Sequence, residues 1–153
     1  MDNKTFKLTI KKLAVENGFK QFPKCYFRES SVSLIGLELQ KSNYSNYYYL
    51  NIQNYIQGYH GLHYTPSIEL LHGDKAVFFR RQKKEYNSAF ELDNDMSDEE
   101  RLEQLNACFA NYIGPLVEQL LTREGIKNYV EDEQNLISPE RKKKILTVLG
   151  YET

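Results

Sequence analysis

Hydrophobic residues recur at one period near both ends of this chain and at another through its middle. In residues 3–17, Phe6, Ile10, Leu13 and Ala14 lie at helical spacing while Lys4, Lys7, Lys11 and Lys12 mostly take the other side, which predicts an amphipathic helix. Gly18 stands where a left-handed residue would end that helix, and Phe19 where a Schellman cap sets an apolar side chain against the last turn. From Lys24 to about Leu92 the period falls to two. Strand candidates are 24–28, 32–41, 47–57, 67–71, 75–82 and 88–92, and Gly73-Asp74 suits a two-residue type II′ hairpin. The helical period returns at Ser97, where Glu100 completes a capping box, and runs through Leu102, Leu105, Phe109, Tyr112, Leu116 and Leu120. Pro115, after Gly114, takes away the donor for the carbonyl of Asn111 and predicts a kink or break. Ser138-Pro139 opens a last helix that Gly150 closes. This order predicts an α+β fold: an N-terminal helix, a mostly antiparallel meander of five or six strands, then C-terminal helices packed on one sheet face.

With 153 residues the chain is expected to form a single domain, 1–153, burying roughly 69% of its extended surface. Leu, Ile, Val and Phe supply about 27% of the residues, enough for a lean core to which the 12 tyrosines must add. Lys plus Arg (20) nearly balance Asp plus Glu (21), a net charge of −1 that disfavours general nucleic-acid binding, which rests on phosphate neutralisation. Cys25 and Cys108 stand far apart with no C-x-x-C and read as small buried hydrophobes. No signal-type apolar run and no eighteen-residue apolar stretch occurs, so no membrane partner and a cytoplasmic location are expected.

Residues 47–57 hold the sharpest asymmetry. Alternation puts Tyr48, Leu50, Ile52, Asn54 and Ile56 on one side, and Tyr47, Tyr49, Asn51, Gln53, Tyr55 and Gln57 on the other. The preceding strand divides likewise, with Ile35, Leu37 and Leu39 opposing Gly36, Glu38 and Gln40. Pairing of the two predicts a solvated face of aromatic edges, amides and a carboxylate: Glu38, Gln40, Tyr47, Tyr49, Asn51, Gln53 and Tyr55. Tyrosine offers large contact area at low entropy cost and amides adapt their hydrogen bonds, as at protein-binding surfaces. The bland explanation is that tyrosine has high β propensity and the face is partly covered.

His60, His63 and His72, the only histidines, fall within thirteen residues and raise an alternative, a small-ligand or metal-dependent enzyme. They lack a helical i, i+4 pair and an assignable supporting carboxylate, so no metal or other cofactor is expected. Gly58-Tyr59-His60-Gly61 matches a G-x-x-G clamp in letters but carries no basic residue between the glycines. Phe78-Phe79-Arg80-Arg81-Gln82-Lys83-Lys84 interleaves rings and cations, so RNA binding through Arg80 to Lys84 is a third reading; a solvated, edge-protecting basic end is the simpler one. Asp93-x-Asp95-x-Ser97 imitates an EF-hand opening but has Asp98 where glycine belongs and Gln104 where glutamate belongs. No nucleophile-elbow, zinc-protease or phosphate-loop pattern occurs, leaving catalysis without a sequence warrant.

The ordered pieces Gly18-Phe19-Lys20, Tyr26-Phe27-Arg28, Leu39-Gln40-Lys41-Ser42 and Tyr49-Leu50-Asn51-Ile52 resemble a bacterial family of domains of unknown function, domain of unknown function 4304, over about residues 3–57. The resemblance implies a small α+β domain without an established activity, similar to immunity proteins that neutralise toxins, and it carries over no catalytic residue. Asn43-Tyr44-Ser45-Asn46 replaces the glycine-rich, basic loop usual after the Q-K-S piece. The expectation is therefore a non-enzymatic domain whose tyrosine- and amide-rich sheet face contacts a protein partner, an immunity-type inhibitor being one concrete form.

Overall fold

A computed structural model describes residues 1–73 and 75–152. Helix α1 spans Asn3–Glu16 and ends as its sequence requires: Gly18 has φ +85°, its N–H reaches the carbonyl of Val15, and Phe19 N–H reaches Ala14. This is a Schellman closure, and it drops the Phe19 ring into the core. Five antiparallel strands follow in the order of the chain: β1 (Lys20–Phe22), β2 (Cys25–Glu29), β3 (Ser33–Lys41), β4 (Tyr48–Ile56) and β5 (Phe78–Arg80). β3 and β4 form the long central hairpin, in a register that sets Leu34 against Tyr55, Gly36 against Gln53, Glu38 against Asn51 and Gln40 against Tyr49.

Ile35, Leu37, Leu50, Ile52 and Ile56 face the main core, which is closed by α1, α4 (Asp98–Cys108), α5 (Gly114–Leu120), α6 (Arg123–Glu131) and α7 (Pro139–Val148). The anticipated break at Pro115 takes another form. The chain winds one π turn, Phe109–Ile113, with Gly114 N–H reaching back to Phe109, and α5 continues directly with proline in its first turn, where a missing N–H is harmless. Arg101 of α4 is buried; its guanidinium donates to the carbonyls of Ala89 and Glu91 (both 2.9 Å) and to Asn94 Oδ1 (2.8 Å).

Three strand expectations fail. Residues 67–71 form a helical turn, α2 (Ile68–Leu71), because the Ser67 hydroxyl accepts the Leu70 N–H (3.1 Å) and caps it. The 73–74 hairpin therefore has no strand before it, and Asp74 itself lies outside the described residues. Residues 88–92 fold as the short helix α3 (Asn87–Phe90), leaving a single bridge from Glu91 to Tyr47. The candidate 75–82 shrinks to the three residues of β5. Beyond Arg80 the backbone departs from β4, and the side chain of Gln82 takes over its pairing. Its Oε1 accepts Leu50 N–H (2.8 Å) and its Nε2 donates to the Tyr48 carbonyl (3.2 Å), so a primary amide stands in for the peptide group a longer β5 would supply.

The β1–β2 turn, missed by the sequence reading, is Pro23-Lys24, with Lys24 at φ +65°. The left-handed region costs a residue with a Cβ roughly 1–2 kcal/mol, so Lys24→Gly is expected to stabilise the fold by about 1 kcal/mol in chemical denaturation. Gln82→Leu, which leaves a buried donor and acceptor of β4 unpaired, is expected to destabilise it by about 2 kcal/mol in the same assay.

Candidate functional site

The second sheet face divides in two. At the Leu34–Tyr55 end it is covered: α2 and the segment leading into it lay Leu71 and Tyr64 over Cys25, Phe27, Leu34 and Tyr55. Gly36 permits the close approach, since a Cβ there would sit 3.0 Å from a Leu71 methyl. The expectation that the odd-numbered residues of β4 stay solvated is corrected for three of them, Tyr55 and Gln53 beneath this cover and Asn51 among the side chains of Glu38, Gln40 and Arg81. Tyr55 is 0% exposed, Asn51 2% and Gln53 7%. Tyr55 meets Gln53 Oε1 (2.6 Å) and the Leu70 carbonyl (2.8 Å) through its hydroxyl, so its ring and its polar tip both belong to the packing of α2. The cause is non-local: alternation separates the faces of a strand, but the cover comes from a segment that begins eight residues past the end of β4.

At the Gln40–Tyr49 end the face is open, and there the expected residues do converge. Asn51 Nδ2 donates to Gln40 Oε1 (2.8 Å) and, more weakly, to Glu38 Oε1 (3.4 Å). Glu38 Oε2 lies 2.6 Å from His72 Nδ1, and His72 Nε2 lies 3.3 Å from the Pro23 carbonyl. Arg81 donates from Nε to Asn51 Oδ1 (3.0 Å) and lays its guanidinium 4.0 Å above the ring of Tyr49. Tyr49 in turn meets Tyr47 edge-on, with centroids 4.9 Å apart, and the Tyr47 hydroxyl accepts from Gln82 (3.1 Å). Phe79, 47% exposed, has its ring 5.7 Å from the Arg81 guanidinium. Glu38, Gln40, Tyr47, Tyr49 and Asn51 thus join one network, while Gln53 and Tyr55 lie under the cover.

Arg81 and His72 belong to this network although alternation along the two central strands does not include them. Arg81 was visible only as part of a basic run. Its place follows from register, because β5 pairs Arg80 with Ile52 and so brings the next residue level with Asn51. Two of the other three cations of that run also rest on the protein's own rings, Arg80 over Tyr129 (5.4 Å) and Lys83 over Tyr112 (5.1 Å), while Lys84 is exposed.

The three histidines go separate ways. His72 turns to Glu38, His60 packs edge-on against Tyr59 (4.8 Å), His63 is exposed in the loop before α2, and among the described residues no three His, Cys, Asp or Glu side chains are grouped to hold a metal ion. Cys25 pairs across the ladder with Glu38, near His72, yet it is no activated nucleophile. Burial, then the Glu38 charge, pushes its thiol up to about 11; burial pushes Cys108 up to about 12. A raised thiol is protonated at neutral pH, so alkylation of both cysteines by iodoacetamide at pH 8 is expected to be about a hundredfold slower in the native protein than in denaturant, read by mass spectrometry.

A model of one protein family, described as domain of unknown function (DUF4304), matches residues 10–119, more than half of the chain, and the chain belongs to that family. No curated protein and no solved structure matches it. No helix among the described residues is long and apolar enough to cross a membrane.

Proposed function

We propose that this member of the DUF4304 family is a non-enzymatic protein-binding domain that docks through the open end of its second sheet face. The observation that carries the reading is the Arg81 guanidinium, exposed, stacked on Tyr49, fixed by Asn51 and flanked by Phe79 and Tyr47. Arginine and tyrosine are the residue types that dominate binding energy at protein interfaces, and rings and a guanidinium already held in one arrangement lose little conformational entropy on docking. A planar guanidinium with one ring face beneath it suits a carboxylate arriving edge-on, and Phe79 and Tyr47 suit apolar or aromatic neighbours of that carboxylate. The partner is accordingly a protein presenting an acidic residue beside apolar ones. An inhibitor of the immunity type, from a bacterial cell and acting in its cytoplasm, is the concrete form of this reading. The cations at 80, 81 and 83 support it over RNA binding, because each is engaged with a ring of the protein itself.

The test is to identify the partner by cross-linking in the native cell and then to measure its affinity for purified variants. Tyr49→Ala and Arg81→Ala are each expected to weaken it by about 2 kcal/mol or more while circular dichroism stays native. Undiminished affinity in both folded variants, or an affinity for single-stranded RNA that collapses with salt, overturns the reading.

A further inference from the structure

On the opposite, helix-bearing face, at the end of the sheet beside the β1–β2 turn, lies a cleft of about 420 Å³. Its lining residues are Lys7, Lys24, Tyr26, Leu39, Lys41 and Tyr48. They come from four places in the chain: α1, the turn and start of β2, the end of β3, and the start of β4. Period-two geometry explains the convergence. Leu39 and Lys41 share a face of β3, Lys41 pairs directly with Tyr48, Tyr26 pairs with Leu37 on the same face, and Lys24 stands in the turn just before β2. Lys7 then overhangs this corner from α1. The floor is apolar, built from the Tyr26 and Tyr48 rings and Leu39, and the rim is cationic, with three ammonium groups and no carboxylate among the lining residues.

Two features set this corner apart from an ordinary solvated lysine patch. In a chain whose net charge is −1, three of the six lining residues are exposed lysines and none is acidic, a local excess of positive charge that favours an anion. In addition, Lys24 occupies a left-handed position at φ +65° where glycine or asparagine would be at ease. Backbone strain of this kind persists where a side chain is worth its cost, and here the side chain lies in the cleft wall.

We propose that this cleft binds a small organic anion, one with a flat or chain-like apolar body seated on Tyr26, Leu39 and Tyr48 and a phosphate or carboxylate head met by Lys7, Lys24 and Lys41. The volume lies within the range of small-molecule sites, and an apolar floor with a few convergent polar groups is their usual construction. The site is on the face of the sheet opposite Arg81 and Tyr49, so it stands independently of the protein-docking surface.

Anilinonaphthalene sulfonate, an aromatic anion that fluoresces in apolar surroundings, is the probe. Titrated into the folded full-length protein, it is expected to bind saturably at one site. Lys24→Gly, Lys7→Ala and Lys41→Ala should each weaken it about tenfold, while Lys142→Ala on α7 should not. Displacement by adenosine diphosphate identifies a phosphate head, and displacement by laurate a carboxylate. Because Lys24→Gly relieves strain, its loss of binding cannot be laid to unfolding. Absence of saturable binding, affinity in the three cleft variants undiminished from that of the unsubstituted protein, or failure of both competitors to displace the probe overturns the proposal.

Discussion

The central hairpin is buried on both faces over half its length, and the rest of the structure answers to that constraint. A strand with core on one side only can leave its other side chains to water; β3 and β4 cannot. Every polar group carried into that double burial needs a partner. Asn54 Nδ2 donates to Ser33 Oγ (2.6 Å) although its Oδ1 is left buried without a hydrogen bond, and Gln53 lies against the Tyr55 hydroxyl (2.6 Å). Gln57 does for the loop after β4 what Gln82 does for β5: its side-chain amide exchanges two hydrogen bonds with the backbone of Tyr64 (2.6 and 2.9 Å). The clustered amides that look like a recognition surface in the sequence are therefore partly internal fittings. They pair a sheet whose neighbouring segments are too short or too irregular to do so with backbone alone.

What the sequence reveals depends on how local the cause is. Helix α1 and its closure are legible because the period, Gly18 and Phe19 all act within one turn of each other. The central pair is legible because nine residues of alternation leave little choice of register. Residues 67–71 and 88–92 are not, since four or five apolar-rich residues fit a strand or a helical turn equally well; the Ser67 cap decides the first, and the second becomes helical with no side-chain cap. The division of the second face into a covered and an open half was invisible for another reason. It depends on where α2 comes to rest, and that depends on the missing side chain at Gly36.

The same rule sorts the two candidate sites. Five of the seven residues expected on the sheet face do meet in one network, because period and pairing placed them together. The guanidinium that organises them came from a different strand and needed the register of β5. The lysine cleft needed more still, the packing of α1 against the sheet together with a turn whose proline and lysine gave no hairpin signal in the sequence. On the sheet face an aromatic ring carries a cation, and in the cleft two tyrosines line the wall alongside three lysines, so the large tyrosine content is divided between holding the fold together and shaping charged surfaces.

The sheet is bordered by β1 and β5, each of only three residues, and on the β5 side the Gln82 side chain occupies the backbone groups just past the strand's end. Such rims expose too little unpaired main chain to template a further strand. Filament growth by strand addition is closed to the folded domain. The broad surfaces carry the side chains by which specificity can be written residue by residue.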